Sequence, residues 1–229
     1  MRPLQRGPIV ARFWSMKWKT IIWPSAAAML GVGGCMVTAS GPQVTESRSA
    51  GAFTNLRLEG AADVEWKQGS PVSVVVEGAK EAVAATTTNL EGDTLVVSQK
   101  PGSNARGNLK VKIQAPVVKS FEISGVGNLD AKDLECDALT VRLLGTGNAT
   151  LAGNARSVDL SVSGTGNIKA HDLKAVSAKV AVSGVGHAEV NASGSLSINV
   201  SGVGGVEYCG RPKISSETVS GIGTVTHTN

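Results

Sequence analysis

The stretch Ser124–Asn128 reads "SGVGN". Close variants return five times: "LGTGN" from Leu144, "SGTGN" from Ser163, "SGVGH" from Ser183, "SGVGG" from Ser201 and "SGIGT" from Ser220. The first glycines are Gly125, Gly145, Gly164, Gly184, Gly202 and Gly221, at intervals of 20, 19, 20, 18 and 19. A lone glycine pair points to a phosphate loop. A pair repeated at a steady interval points to stacked supersecondary units.

The flanking residues keep phase with the glycines. Two positions before them stand Ile123, Leu143, Val162, Val182, Val200 and Val219. Four before stand Phe121, Val141, Leu160, Val180 and Ile198; the last motif breaks the pattern with Glu217. Four after stand Leu129, Ala149, Ile168, Ala188, Val206 and Val225. The residues between are mostly polar, so each arm alternates as a strand does. A free hairpin would satisfy the alternation but would not need the period. The period predicts an all-β, parallel β-helix or solenoid with about 19–20 residues per coil, equivalent residues stacking ~4.8 Å apart. Its core is a column of Val, Ile, Leu and Ala, in keeping with only 3% aromatic residues.

In this reading the glycines are structural turn residues. They comprise the six named above and the second glycines Gly127, Gly147, Gly166, Gly186, Gly204 and Gly223. Glycine reaches positive φ without steric penalty, which a sharp corner needs. Asn128, Asn148 and Asn167 hold one phase on consecutive coils, where stacked amides can hydrogen-bond in a file. The serines before the turns predict a similar file. A nucleotide-binding reading fails because no convincing helix follows any of the motifs.

Upstream, Gly60 has Leu56 and Leu58 before it and Val64 and Trp66 after it, in the same phase. This predicts a first, degenerate coil. Between Trp66 and Phe121 the period lapses, and residues 67–118 read as an irregular strand-rich insertion that caps the coil's edge. Strand-like runs lie at Val72–Val76, Leu95–Ser98 and Leu109–Gln114, while residues 79–89 read as a short helix or a loop. No cap is evident at the other end, which predicts homo-oligomerisation through the last coil.

The net charge of +4 misleads. Residues 1–34 hold Arg2, Arg6, Arg12, Lys17 and Lys19 and no acid; removing those five from 22 basic residues leaves 17 against 18 acidic, a net of −1. A nucleic-acid partner is therefore not expected. The same segment has a basic start, an apolar run from Ile21 to Val32, and small residues before Cys35, the layout of a secretory signal. Met16 is an alternative start to Met1. Residues 36–50 are polar and small and predict a flexible tether.

The junction "VGGC" at Val32–Cys35 resembles the lipobox of bacterial lipoproteins. That resemblance implies acylation of Cys35, a lipid anchor in the membrane and, with Met36 rather than aspartate next, the outer membrane of a Gram-negative envelope. The alternative is an ordinary cleaved signal with Cys35 incidental. The stretch "GAFTNLRLEGAADVEW" together with the S-G-x-G repeats resembles the auto-transporter adhesin head domain family, also called the head GIN domain. The resemblance covers about residues 50–229. It implies a right-handed β-helix-like fold in a secreted or surface-tethered protein, and supplies no catalytic residues.

Chemistry-bearing residues are few. Cys136 and Cys209 fall almost four coils apart, too far for a disulfide. His171, His187 and His227 fall at different phases with no metal-ligand spacing, so neither metal nor cofactor is expected. Glu189 and Glu207 share a phase on neighbouring coils, the spacing a retaining glycosidase would use, but Lys169 holds the same phase one coil earlier. The expected function is a non-catalytic, envelope-anchored adhesion or binding module for glycan or protein. The alternatives are a polysaccharide-cleaving β-helix enzyme using Glu189 and Glu207, and a purely structural envelope protein.

Overall fold

The computed structural model describes residues 42–101 and 109–228. Cys35 and the leader therefore lie outside the described residues. The chain forms a β-solenoid of about six turns. Its regular part is four long strands: β9 (Leu129–Leu143), β10 (Thr146–Val162), β11 (Thr165–Val182) and β12 (Val185–Val200). Each runs from one glycine corner almost to the next and pairs in parallel with the strand before and after it. The last rung is split into β13 (Val203–Cys209), β14 (Lys213–Val219) and β15 (Ile222–His227).

The registers superimpose matched residues. One inward file runs Val64, Leu129, Ala149, Ile168, Ala188, Val206 and Val225. Another runs Leu56, Phe121, Val141, Leu160, Val180 and Ile198. Nearly all of these are buried in a single core. Burying one such aliphatic side chain contributes ~1.5–3 kcal/mol, so the files supply most of the stability.

The glycine corners differ from expectation in their cause. The first-glycine positions do not have positive φ. They are glycine because the rung below comes too close. A Cβ on Gly145 would lie 2.0 Å from the Gly125 carbonyl oxygen, and one on Gly164 would lie 1.9 Å from that of Gly145. In the second column Gly127, Gly147, Gly166 and Gly204 combine both constraints: Gly147 has φ +154°, and a Cβ there would lie 1.8 Å from the Gly127 carbonyl oxygen. Hydrogen bonds seal each corner. The amides of Leu144 and Gly145 both donate to the Ile123 carbonyl, and those of Ser163 and Gly164 to that of Leu143.

A second bend lies inside the long strands, where the register shifts between Leu151 and Gly153 and between Ala170 and Lys174. Each coil is thus one bent strand and one glycine corner, rather than two separate strands.

The N-terminal block is more regular than its sequence. Strands β2 (Asn55–Leu58) and β3 (Asp63–Gln68) stack directly under β8 (Ser120–Ile123) and β9, so the Gly60 coil is a full rung. The supposedly irregular insertion supplies another rung. Strands β6 (Thr94–Gln99) and β7 (Lys110–Ala115) lie parallel to β2 and β3 on their outer side. The chain therefore lays down its second rung first, then the outer one, and then returns to the inner side at Ser120.

Antiparallel strands close this end. β4 (Ser73–Ala79) pairs with β7, β5 (Thr86–Glu91) with β6, and β1 (Gln43–Arg48) with β4. The segment 79–89 contains both the helix α1 (Lys80–Ala85) and most of β5, with Ala82 and Val83 buried. Strand β1 also corrects part of the expected 36–50 tether, because Val44 packs against the core. Trp66 stands edge-on to Phe53 and Phe121, with centroids 6.1 and 5.2 Å away. Three of the described aromatic side chains are thus gathered at the base.

The close approach at the corners makes a prediction. Gly145→Ala forces adjacent rungs apart and should destabilise by roughly 1–3 kcal/mol, as overpacking does. Thr146→Ala, one residue on and exposed, should be nearly silent. Urea denaturation of the two variants compares them, and equal midpoints would contradict the corner geometry.

Candidate functional site

Three surface features follow from the stacking. The first is a ridge along the glycine corner. Each S-G-x-G motif puts one residue between its glycines, and these stack as Val126, Thr146, Thr165, Val185, Val203 and Ile222. All six are β-branched. Val126, Val185, Val203 and Ile222 are 58%, 54%, 48% and 77% exposed. Bare glycine lies on either side, so the ridge stands clear of the corner. Adjacent exposed aliphatics on a rigid frame mark an interaction surface. Sequence reading assigned these glycines to architecture and missed the row between them; the signal was the β-branched identity at every x.

The second feature is a polar file beside the ridge. Asn148 Nδ2 donates to Asn128 Oδ1 at 3.0 Å, and Asn167 Nδ2 to Asn148 Oδ1 at 3.0 Å. Each oxygen also accepts the backbone amide of the next residue, at 3.2 Å. The file begins at Asp63, whose Oδ1 accepts both Asn128 N and Nδ2 at 2.9 Å. It ends where His187 N donates to Asn167 Oδ1 at 3.0 Å. A carboxylate suits the start because it only accepts. Of the expected serine file, Ser183 Oγ donates to Ser163 Oγ at 3.1 Å, whereas Ser124 Oγ turns to the Leu58 carbonyl.

The third feature is a groove of about 390 Å³ at the second bend, reaching from β9 to β12. Ala155, Ala175 and the half-buried Cys136 line it, small where other inward positions are large. Charges of both signs border it: Glu135, Asp137, Arg156 and Lys174. Asn154 Nδ2 donates to Glu135 Oε1, and Arg156 Nη2 lies 3.4 Å from Asp137 Oδ1.

Glu189 and Glu207 are register partners on β12 and β13, and Lys169 is the partner of Glu189 on β11. His187 Nε2 lies 3.6 Å from Glu207 Oε2. The result is a partly exposed row of mixed charge. Cys136 and Cys209 are both free thiols. The register sets Cys136 beside Ala155 on one side of the solenoid and Cys209 beside Asn191 several rungs on. The contact between Cys209 Sγ and His171 Nδ1 at 3.5 Å was not foreseen. His171 lies past the register shift at Ala170, where counting from the glycine loses phase. His227 stacks on Tyr208, with ring centroids 4.8 Å apart. Among the described residues, no cluster of three or more His, Cys, Asp or Glu is placed to hold a metal, and no helix is long and apolar enough to cross a membrane.

Two measurements probe these features. Asn148→Ala removes the acceptor of the Asn167 amide, so hydrogen exchange at Asn167 should quicken while exchange at core amides such as Ala149 stays slow. Unchanged exchange at Asn167 would contradict the file. Burial, with help from Glu135 and Asp137, raises the Cys136 thiol above its ordinary range. Only the thiolate alkylates, so alkylation at neutral pH should be slower than for a free cysteine and should rise at a higher pH than usual. Peptide mass spectrometry across a pH series reads this, and an ordinary profile would contradict it.

Comparison with known proteins adds the family. The family described as "Putative auto-transporter adhesin, head GIN domain" matches residues 52–212. No curated protein matches the chain. A solved "putative adhesin" from Bacteroides fragilis is 24% identical, with a TM-score of 0.69, covering 82% of this chain and 97% of its own. A "Putative lipid binding protein" from Parabacteroides distasonis is also 24% identical, with a TM-score of 0.54, covering 82% of this chain and 98% of its own. At that identity the likeness concerns the fold alone. The family match spans the Gly60 rung, the capping block and the stacked coils up to Pro212, and the chain belongs to the auto-transporter adhesin head GIN family.

Proposed function

We propose that the protein is a non-catalytic adhesion module, tethered to the bacterial envelope through an acylated Cys35, that binds a repetitive surface ligand of glycan or protein along its glycine-corner ridge. The observation that carries this is the file of β-branched side chains from Val126 to Ile222, held at strand spacing by the parallel pairing of successive rungs. A row of like groups at ~4.8 Å suits many weak contacts with a ligand that also repeats, and linking such contacts raises overall affinity. The family's adhesin description points the same way and supports an envelope or surface location. The "VGGC" junction supports the anchor, and the absence of aspartate after Cys35 favours the outer membrane.

The glycosidase reading gains nothing from the geometry. Glu189 and Glu207 sit in register with Lys169, and His187 Nε2 lies 3.6 Å from Glu207 Oε2. Ion pairing between side chains exposed in this way contributes at most about 1 kcal/mol, as in an ordinary solvated charge row.

Binding is tested with the full chain on glycan arrays and on bacterial and host cell surfaces. Val185→Lys/Val203→Lys should lower retention at least tenfold, while Glu189→Gln/Glu207→Gln binds as wild type. Retention that ignores the ridge would overturn the assignment, as would polysaccharide cleavage lost in the double glutamine variant. For the anchor, Cys35→Ser should abolish labelling by radioactive palmitate and release the protein from the membrane fraction. Labelling or membrane retention that persists would refute it.

A further inference from the structure

One residue breaks an inward file that is otherwise apolar through the repeats. The file Phe121, Val141, Leu160, Val180, Ile198 ends in Glu217, the register partner of Ile198 on β14. Val219, two residues on, continues the neighbouring file over Val200. Glu217 thus has the inward parity of the core, yet it is exposed because nothing described lies beyond it. Among the described residues, β14 pairs only with β12, and β15 only with β13. The far edge of this rung therefore presents unpaired backbone groups, which in general invite another strand.

The rung carries further obstacles to such pairing. Lys213 begins β14 opposite Ser195. Between Ile214 and Ser216 the register slips by one residue, so Ser215 bulges, and its Oγ donates to the Leu196 carbonyl at 3.0 Å. An edge lysine, a bulge and an inward charge are three separate means by which sheets avoid edge-to-edge association. The opposite end uses a different solution, the antiparallel strands β1, β4 and β5.

We propose that Glu217 is a gatekeeper: its carboxylate, set in the core file of the last described rung, prevents a second copy of this chain from stacking on β14 and keeps the head discrete at that end. A strand laid over β14 would strip water from the Glu217 carboxylate, a penalty greater than the hydrogen bonds gained. The proposal reverses the self-association that the sequence alone suggests.

The test compares two variants of the full chain by sedimentation velocity over a hundredfold concentration range. Wild type should sediment as a single species. Glu217→Val restores the aliphatic file and should shift sedimentation, with rising concentration, toward dimers and larger assemblies. Thr218→Val adds the same side chain one residue on, at the outward parity, and should stay at the wild-type value. Both variants should keep the wild-type β circular dichroism, which guards against association by unfolding. Three results would overturn the proposal: wild-type self-association that Glu217→Val does not strengthen, a Glu217→Val protein that stays a single species, or equal assembly by Thr218→Val.

Discussion

Everything in this molecule depends on how closely the backbone of one rung approaches the next at the glycine corners. The carbonyl oxygen of Gly125 occupies the place a side chain on Gly145 would need, and the relation recurs from Gly60 up to Gly221. Contact at that range leaves no room for a slipped register. A shift of one residue would set a Cβ against a carbonyl at every corner and turn each apolar file outward. The corner therefore fixes register, and the aliphatic files, registered by it, supply the stabilising burial. The asparagine file adds ~1 kcal/mol per bond, so it reinforces the register without creating it.

The same constraint generates the surface. Because glycine is compulsory on both sides of the x position, whatever occupies x stands alone at the crest. Val126, Val185, Val203 and Ile222 are exposed for that reason, although strand residues of their type usually turn inward. At the second bend the core file is small rather than absent, and Ala155 and Ala175 leave a groove where a leucine would fill the space. A ridge and a groove, both running along the stack, are what a repetitive frame offers a repetitive ligand.

Most of the repeat region was legible because its signals were local and periodic. Alternation identified the strands, and the interval of the glycines identified the stacking. Three things were not legible. The role of the first glycines lies in a contact between rungs, not in their own dihedrals, and no single motif records it. The outer rung of β6 and β7 hid because its members are laid down out of spatial order, so Leu95 and Val111 repeat no interval with Leu56 and Val64 although they stack on them. Strand β1 hid in a polar segment whose pairing partner, β4, lies some thirty residues downstream. At the site, Glu217 stood out as an exception to its file, but its meaning needed the knowledge that nothing described stacks beyond it. The meeting of Cys209 with His171 depended on a register shift that counting could not reveal.

The superposition of rungs can be read directly by cross-linking. Thr150 and Lys169 are register partners on β10 and β11, and Glu189 is the partner of Lys169 on β12. With the native cysteines replaced by serine, Thr150→Cys/Lys169→Cys should close an intrachain disulfide under mild oxidation, because adjacent rungs lie within the ~4.4–6.8 Å that the bond requires. Thr150→Cys/Glu189→Cys spans two rungs, ~9.6 Å, and should stay reduced. Closure of the second pair with failure of the first would contradict the stacked register on which the fold, the ridge and the gatekeeper all rest.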